Sequence, residues 1–191
     1  MSSLASAPAP VLPRRRQLLL GTSIACIGVV VFYLTLIGMY LNARTAAGTG
    51  WLSEKTIPLT QANMAMGTLI LGSIAVQWAV WAIARDVRGQ TYFALGLTAL
   101  FAAAFVNQTT FLWKAVNLVA GEAEYGPFYA VSAGHMLLVV AAMLFVVVAA
   151  IRAIGGNYSS RYPDGVSAAA LFWHVTVGLY AVLWLGVYIL K

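Results

Sequence analysis

Two histidines, His135 and His174, lie well inside long apolar runs, and they are the only histidines in the chain. A charged group inside hydrocarbon is costly, so a histidine at such a position needs a hydrogen-bonding partner or a ligand. Imidazole is an axial ligand of haem iron in many proteins, which makes haem binding the enzymatic chemistry to consider. The alternative is a packing role, with each ring hydrogen-bonded to a neighbouring helix or to lipid headgroups. We take packing as the default interpretation.

Uncharged polar side chains also interrupt the apolar runs. Gln77 lies near the middle of one run, and Gln108 stands in a cluster with Asn107, Thr109 and Thr110 near the end of the next. Such groups usually form hydrogen bonds between transmembrane helices, worth about 0.5–2 kcal/mol per contact. A transport path would need linked ionisable groups, and no Asp, Glu, Lys or Arg lies deep in any apolar run. A small transporter that depends on Gln77 or Asn107 is therefore the less favoured alternative.

The composition indicates an integral membrane protein. Apolar residues make up 62% of the chain and charged residues only 8%, far from the average soluble domain. A soluble domain of this length could not keep so much apolar surface away from water. The net charge of +6 does not indicate nucleic-acid binding, because the basic residues are scattered between apolar runs rather than gathered on one face. The single cysteine, Cys26, excludes an internal disulfide.

Five apolar runs, at about residues 18–41, 63–84, 91–112, 128–154 and 168–190, are long enough to cross about 30 Å of hydrocarbon as helices. The first run follows three arginines, as an export signal would. It continues about fifteen residues beyond Cys26, which predicts a retained span. Residues 1–16 are predicted to be a disordered cytoplasmic tail, and residues 17–191 a transmembrane domain. The predicted fold is thus an all-α, polytopic bundle of five transmembrane helices.

The charges between the runs predict which way the bundle faces. With the N-terminus inside, seven basic residues fall on the inner side and four on the outer side. Positive charge favours the cytoplasmic side, and arginines before the first helix usually dominate, so the prediction is N-inside and C-outside. The inner residues are Arg14, Arg15, Arg16, Arg85, Arg88, Arg152 and Arg161, and the outer ones are Arg44, Lys55, Lys114 and Lys191.

This topology bears on whether the two histidines share a cofactor. His135 would lie about 10 Å below the outer end of the fourth helix, and His174 about 9 Å above the inner end of the fifth. In a core about 30 Å thick, their depths then differ by roughly 10 Å. Ligands of one iron or zinc ion lie close together, which disfavours a shared haem or metal. Separate haems, one per histidine, define the enzymatic alternative, a small haem-binding membrane oxidoreductase.

Several stretches, taken in order, resemble subunit III of the haem-copper cytochrome c oxidases. The last run contains Phe172–Val177 (FWHVTV), which resembles that family's YWHFVD-type motif. The run before it contains Ala133–Leu138 (AGHMLL), which resembles the family's GFHGLH. Gly72-Ser73 followed by Gln77 is similar to a bacterial pattern of two serines followed by glutamine. Gln108 matches a glutamine near the end of the family's third helix.

The resemblance extends over about residues 17–191, because the first helix, from Gly21 to Arg44, is also similar to bacterial members in spacing and ending. The chain departs from the family at its intramembrane acids, since Val29, Phe111 and Val177 stand where the family has carboxylates. Leu138 replaces the second histidine of the paired motif. The chain is therefore identified as a divergent, five-helix bacterial type, and the resemblance does not extend to a proton-related role of the missing acids.

The resemblance implies an accessory role without catalysis. Family members bind neither haem nor copper; they pack beside the catalytic subunit, which carries both, and hold phospholipid in a cleft between their first two helices and the rest. The expected function is a non-catalytic membrane subunit of a respiratory haem-copper oxidase complex in the bacterial inner membrane. Its expected partners are a subunit I-like protein and phospholipid, and no catalytic or metal-binding residue is expected. The residues expected to contact lipid or a neighbouring subunit are His135, Trp173, His174, Gln77, Gln108, Arg85 and Arg88.

Overall fold

The structure, a computed structural model, describes residues 16–48, 51, 57–116 and 125–190, where the chain is helical and contains no strand. The predicted tail, residues 1–16, lies outside the described residues except for Arg16. Five helices in the described part are long and apolar enough to cross a membrane, which confirms the prediction of an all-α protein with five transmembrane helices. They are α1 (Gln17–Ala47), α2 (Leu59–Ile83), α3 (Arg88–Val116), α4 (Gly126–Ile154) and α5 (Asp164–Leu183), which continues as a π-helical segment, Trp184–Ile189.

The helices extend beyond the apolar runs that predicted them. α1 continues past Leu41, where its apolar run ends, to Ala47. Its last turn contains Arg44, and a positive charge there interacts favourably with the C-terminal end of the helix dipole. α5 begins at Asp164. The negative charge of its carboxylate interacts favourably with the N-terminal end of the helix dipole, which is positive. The apolar runs therefore mark only the part of each helix that hydrocarbon would surround.

α4 and α5 each pack against three other helices. α5 contacts α1, α2 and α4, and α4 contacts α1, α3 and α5, while α2 packs along α3. α1 joins the bundle through α4 and α5, and its Arg44 guanidinium donates hydrogen bonds to the carbonyl oxygens of Gly186 and Leu190. α1 and α2 both pack on α5, so α5 joins these two helices.

The contact between α2 and α5 depends on small residues. Small side chains let two helices approach closely, and such close packing drives helix association inside a membrane. Trp173 of α5 lies over Gly72 of α2, and only 1% of its surface is exposed. The buried face of α2 repeats at intervals of three or four residues and consists of Ala62, Ala65, Leu69, Gly72, Ala75, Val76, Ala79, Ala82 and Ile83.

The outer faces of the helices carry large apolar side chains. Leu20 and Ile27 on α1, Phe93 on α3, and Leu137 and Ile151 on α4 are 62–66% exposed. A soluble monomer rarely exposes contiguous apolar surface on this scale. The helices are thus apolar on both their inner and outer faces, as expected where the surrounding medium is lipid.

The turn between α2 and α3 is tied to the loop between α4 and α5. Asp86 adopts a φ of 56°, which aspartate tolerates better than most residues. Its carboxylate accepts hydrogen bonds from the hydroxyl of Ser160 at 2.5 Å and from the backbone N–H of Ser160 at 2.7 Å. The hydroxyl hydrogen bond, then the backbone one, and then the nearby Arg88 and Arg161 hold the pKa of Asp86 below its usual value. We call this pair of hydrogen bonds the Asp86–Ser160 clasp.

Candidate subunit and lipid contact sites

His135 is enclosed in the bundle, with 1% of its surface exposed. Its Nε2 lies 2.9 Å from the carbonyl oxygen of Thr176 on α5. Because a carbonyl oxygen can only accept a hydrogen bond, Nε2 carries the hydrogen, and Nδ1 of the neutral ring is an acceptor. The rings of Tyr180, Phe105 and Tyr33 surround the imidazole at centroid distances of 5.0, 5.3 and 5.7 Å. His135 therefore joins α4 to α5 from within the core.

This setting leaves no room for haem at His135. The cavity beside its ring measures about 10 Å³, far less than a porphyrin occupies. The other histidine, His174, is exposed on α5, whereas Thr176, which His135 contacts, is buried. Thr176 lies two residues from His174 on α5, about 3 Å of helical rise, so the contact with Thr176 places His135 at nearly the depth of His174. The predicted difference in depth of roughly 10 Å is therefore wrong. The two histidines are separated because they contact different faces of α5. Among the described residues, no three His, Cys, Asp or Glu side chains are grouped so that they could hold a metal ion.

His174 forms a pair with Gln77 on the outer surface of the bundle. The Nε2 of His174 lies 3.2 Å from the amide Oε1 of Gln77 and donates a hydrogen bond to it. The pair lines an open groove of about 530 Å³ between α2 and α5. We call it the α2–α5 groove, and its other walls are Ile70, Ser73, Ile74, Trp78 and Trp81. An apolar channel with a few polar atoms is chemically suited to a hydrocarbon chain.

Arg85 and Arg88 lie where α2 ends and α3 begins. The guanidinium of Arg85 stacks over the ring of Trp81, 4.7 Å from the ring centroid, in a cation–π arrangement. Because Trp81 is a wall of the α2–α5 groove, this stacking holds a positive charge beside the groove. Arg88 is the first residue of α3, and its side chain is exposed. Both arginines are therefore placed where an anionic lipid headgroup could contact them.

Trp173 and Gln108 hold helices of this chain together. Trp173 is buried against Gly72, as described above. The amide nitrogen of Gln108 donates a hydrogen bond to the hydroxyl oxygen of Thr68 at 2.9 Å, which joins α3 to α2. The side chain of Gln108 is half-buried. Because Trp173 is fully enclosed, it can affect lipid or a neighbouring subunit only through helix packing.

Sequence reasoning missed two tyrosines that tie distant helices together. The hydroxyl of Tyr33 on α1 donates a hydrogen bond to the carbonyl oxygen of Val131 at 2.9 Å. The hydroxyl of Tyr180 on α5 donates to the carbonyl oxygen of Ala62 at 3.1 Å. The available signal was a phenol hydroxyl inside an apolar run, since a buried hydroxyl needs a partner. The acceptors are backbone atoms, which no side-chain pattern marks.

The sequence was compared with those of known protein families. The family described as Cytochrome c oxidase subunit III matches residues 15–191. The chain belongs to this family. The resemblance found in the sequence is thereby confirmed, and five helices that can cross a membrane agree with a multi-pass membrane subunit III. Membership of the subunit III family favours neither the transporter nor the haem-binding oxidoreductase alternative.

Individual subunit III proteins are distant but extensive matches. The cytochrome c oxidase subunit 3 of Petromyzon marinus is 24% identical over 184 residues, which are 92% of this chain and 70% of that protein. The protein of the same name from Triticum aestivum is 29% identical over 144 residues, 74% of this chain and 52% of its own length. That of Pelomedusa subrufa is 24% identical over 152 residues, 78% and 58% respectively. The matched part of the chain thus spans between 52% and 70% of the length of these relatives.

Proposed function

We propose that this chain is a non-catalytic accessory subunit of a respiratory haem-copper oxidase complex. The observation that carries the proposal is the match to the subunit III family over residues 15–191. The partner is a membrane protein similar to subunit I, and the haem and copper of the complex lie in that catalytic subunit. The contacts of the two histidines support the proposal that haem lies in the partner and not in this chain. His135 already forms a hydrogen bond with Thr176, and His174 forms one with Gln77.

The second part of the proposal is that the subunit holds phospholipid in the α2–α5 groove. The groove offers an apolar surface to one acyl chain, and the hydrogen bond between His174 and Gln77 satisfies one polar atom of each of these side chains. Arg85, fixed on Trp81, offers a cation to the headgroup phosphate. An apolar channel beside a cation is the chemistry that a phospholipid would recognise.

The third part concerns orientation and location. We place the end of the bundle with the Asp86–Ser160 clasp on the cytoplasmic side, because Arg85, Arg88, Arg152 and Arg161 follow or precede the helices there and positive charge favours that side. The membrane would be the bacterial inner membrane, as the bacterial type of the resemblance implies. This gives the N-inside and C-outside arrangement.

Affinity purification in a mild detergent tests the accessory role. A tagged chain expressed in its own host should co-elute with a larger membrane protein that carries haem, visible as a Soret band in the eluate. An otherwise identical preparation from cells with the untagged chain is the control. Recovery of the chain alone, without any haem-bearing partner, would refute the proposal.

The haem-binding alternative makes an opposite prediction for the isolated chain. It requires a Soret band in the purified single subunit, and that band should disappear in His135→Ala or His174→Ala. We expect the isolated chain to show no Soret band, because His135 is enclosed by aromatic rings and has only a cavity of about 10 Å³ beside it.

A further inference from the structure

A small cavity lies where α2, α3, α4 and α5 meet. Its volume is about 10 Å³, and Gln61, Phe105, Gln108, Ser132, His135 and Tyr180 are among the residues that line it. We call it the His135 cavity. A space of this size admits the centre of about one water molecule and nothing larger. Internal cavities that remain empty are lined by apolar groups, whereas this one has several polar walls.

Two polar atoms of this lining have no hydrogen-bond partner among the described residues. They are Nδ1 of His135 and Oε1 of Gln61, and both are buried. Nδ1 is an acceptor because the ring already donates through Nε2 to Thr176, and an amide oxygen is always an acceptor. Two acceptors cannot satisfy each other. A buried acceptor without a donor is costly, and native proteins rarely leave one in that state.

Three other polar side chains of the lining already donate a hydrogen to an acceptor elsewhere. Ser132 donates to the carbonyl oxygen of Phe128 at 2.8 Å, and Tyr180 donates to that of Ala62 at 3.1 Å. Gln108 donates one hydrogen to Thr68 at 2.9 Å. The two unpaired acceptors are matched by a molecule that supplies two hydrogens from a single small atom. Water has this property, whereas a metal ion would need more ligands than the described residues group together.

We propose that the His135 cavity binds one water molecule, which donates one hydrogen bond to Nδ1 of His135 and the other to Oε1 of Gln61. The water links α2 to α4, and His135 then links α4 to α5 through Thr176. A continuous polar connection thus runs through three helices in the interior of an otherwise apolar bundle. It also fixes the neutral ring of His135, with hydrogen on Nε2 and an occupied Nδ1.

Nuclear magnetic resonance of the full chain in phospholipid nanodiscs tests this site directly. With isotope-labelled histidine, only the two rings of His135 and His174 contribute signals. We expect the Nδ1 resonance of His135 at the position of an unprotonated nitrogen that accepts a hydrogen bond. We also expect a cross peak between the His135 ring and a water proton. The test uses the chain alone, so its result is independent of the proposed role in an oxidase.

A variant pair separates the bridging water from other causes of a shift. Gln61→Met keeps a side chain of similar length but removes the second acceptor, so the water cross peak of His135 should be lost and its Nδ1 resonance should move. Gln77→Met is the matched control on the same helix. It removes the partner of His174, so it should shift the His174 signals and leave those of His135 in place.

Three outcomes would overturn the inference. The first is a protonated Nδ1 in the unaltered protein. The second is the absence of any water cross peak, which together with a hydrogen-bonded Nδ1 would indicate a direct contact with a flipped Gln61 amide. The third is a Gln61→Met protein whose His135 signals do not change. Unchanged His174 signals in Gln61→Met show that this variant is folded, and the measurements on the unaltered protein decide the question if it is not.

Discussion

The indole ring of Trp173 on α5 lies against Gly72 on α2, so closely that a methyl group at residue 72 would overlap the ring. Both residues are buried. The aromatic residue of the last-helix motif is thus an anchor between two helices, and glycine is the residue that leaves space for it. This relationship explains how α5, which also contacts α1 and α4, is held on α2.

Gly72→Ala should destabilise the bundle, because the added methyl group forces Trp173 out of its position. Overpacking of this kind costs about 1–3 kcal/mol. Unfolding of the purified protein in mixed micelles, followed by tryptophan fluorescence, measures the change. Gly67→Ala on the same helix is the control, since nothing lies within 4 Å of a methyl group there. Equal destabilisation by both substitutions would contradict the role assigned to the Trp173 contact.

The Asp86–Ser160 clasp should make stability depend on pH in a defined direction. The folded pKa of Asp86 is lowered by its hydrogen bonds, whereas an unfolded aspartate has a pKa of about 3.9. The stabilisation is therefore fully present above the unfolded pKa, and it is lost as the pH falls through the lower, folded value. The carboxyl resonance of Asp86, one of two aspartates in the chain, should titrate below the usual range.

Ser160→Ala should raise the pKa of Asp86, because it removes the hydroxyl donor, the largest cause of the shift. The backbone N–H of residue 160 remains, so the rise should be partial. Thermal stability of Ser160→Ala and of the unaltered protein should differ at neutral pH and converge once Asp86 is protonated. Ser159→Ala is the neighbouring control, and a pKa of Asp86 that moves as far in that variant would speak against the clasp.

Arg85→Gln should weaken retention of anionic phospholipid if the α2–α5 groove holds lipid. A basic residue near the membrane surface contributes about 1 kcal/mol to binding of anionic lipid, which corresponds to an affinity about fivefold lower. Native mass spectrometry of detergent-solubilised protein, titrated with lipid, measures this change. Arg161→Gln is the control, because Arg161 is also exposed at that end of the bundle, whereas Arg85 is the arginine stacked on Trp81, a wall of the groove. Equal losses in both variants would indicate a general charge effect.

Cysteine labelling in intact cells should report the orientation. Cys26→Ala provides a background without cysteine, since Cys26 is the only one in the chain. We expect Ala46→Cys, at the end of α1, to react with a membrane-impermeant maleimide from outside. Asn157→Cys, in the loop between α4 and α5, should react only after the cells are permeabilised. The reverse pattern would overturn the N-inside arrangement.

The sequence alone predicted an all-α protein with five membrane-spanning helices, and the described residues contain five helices long and apolar enough to cross a membrane. This was predictable because hydrocarbon offers no partner to backbone N–H and C=O groups, so each long apolar run must form a helix that satisfies its own backbone. The runs predicted the helix ends less well. α1 continues to Ala47 and α5 begins at Asp164, since polar residues can extend a helix into water once its apolar part has formed.

Only the tertiary structure decided which way each polar side chain faces. His174 and Thr176 are two residues apart on α5, yet one is exposed beside Gln77 and the other is buried beside His135. In a soluble protein, the alternation of polar and apolar residues would reveal the inner face of the helix. In a membrane, lipid and protein core are equally apolar, so that signal is missing. Three features form only when the helices pack together. They are the hydrogen bond between His135 and the Thr176 carbonyl, the contact of Trp173 with Gly72, and the cavity between four helices.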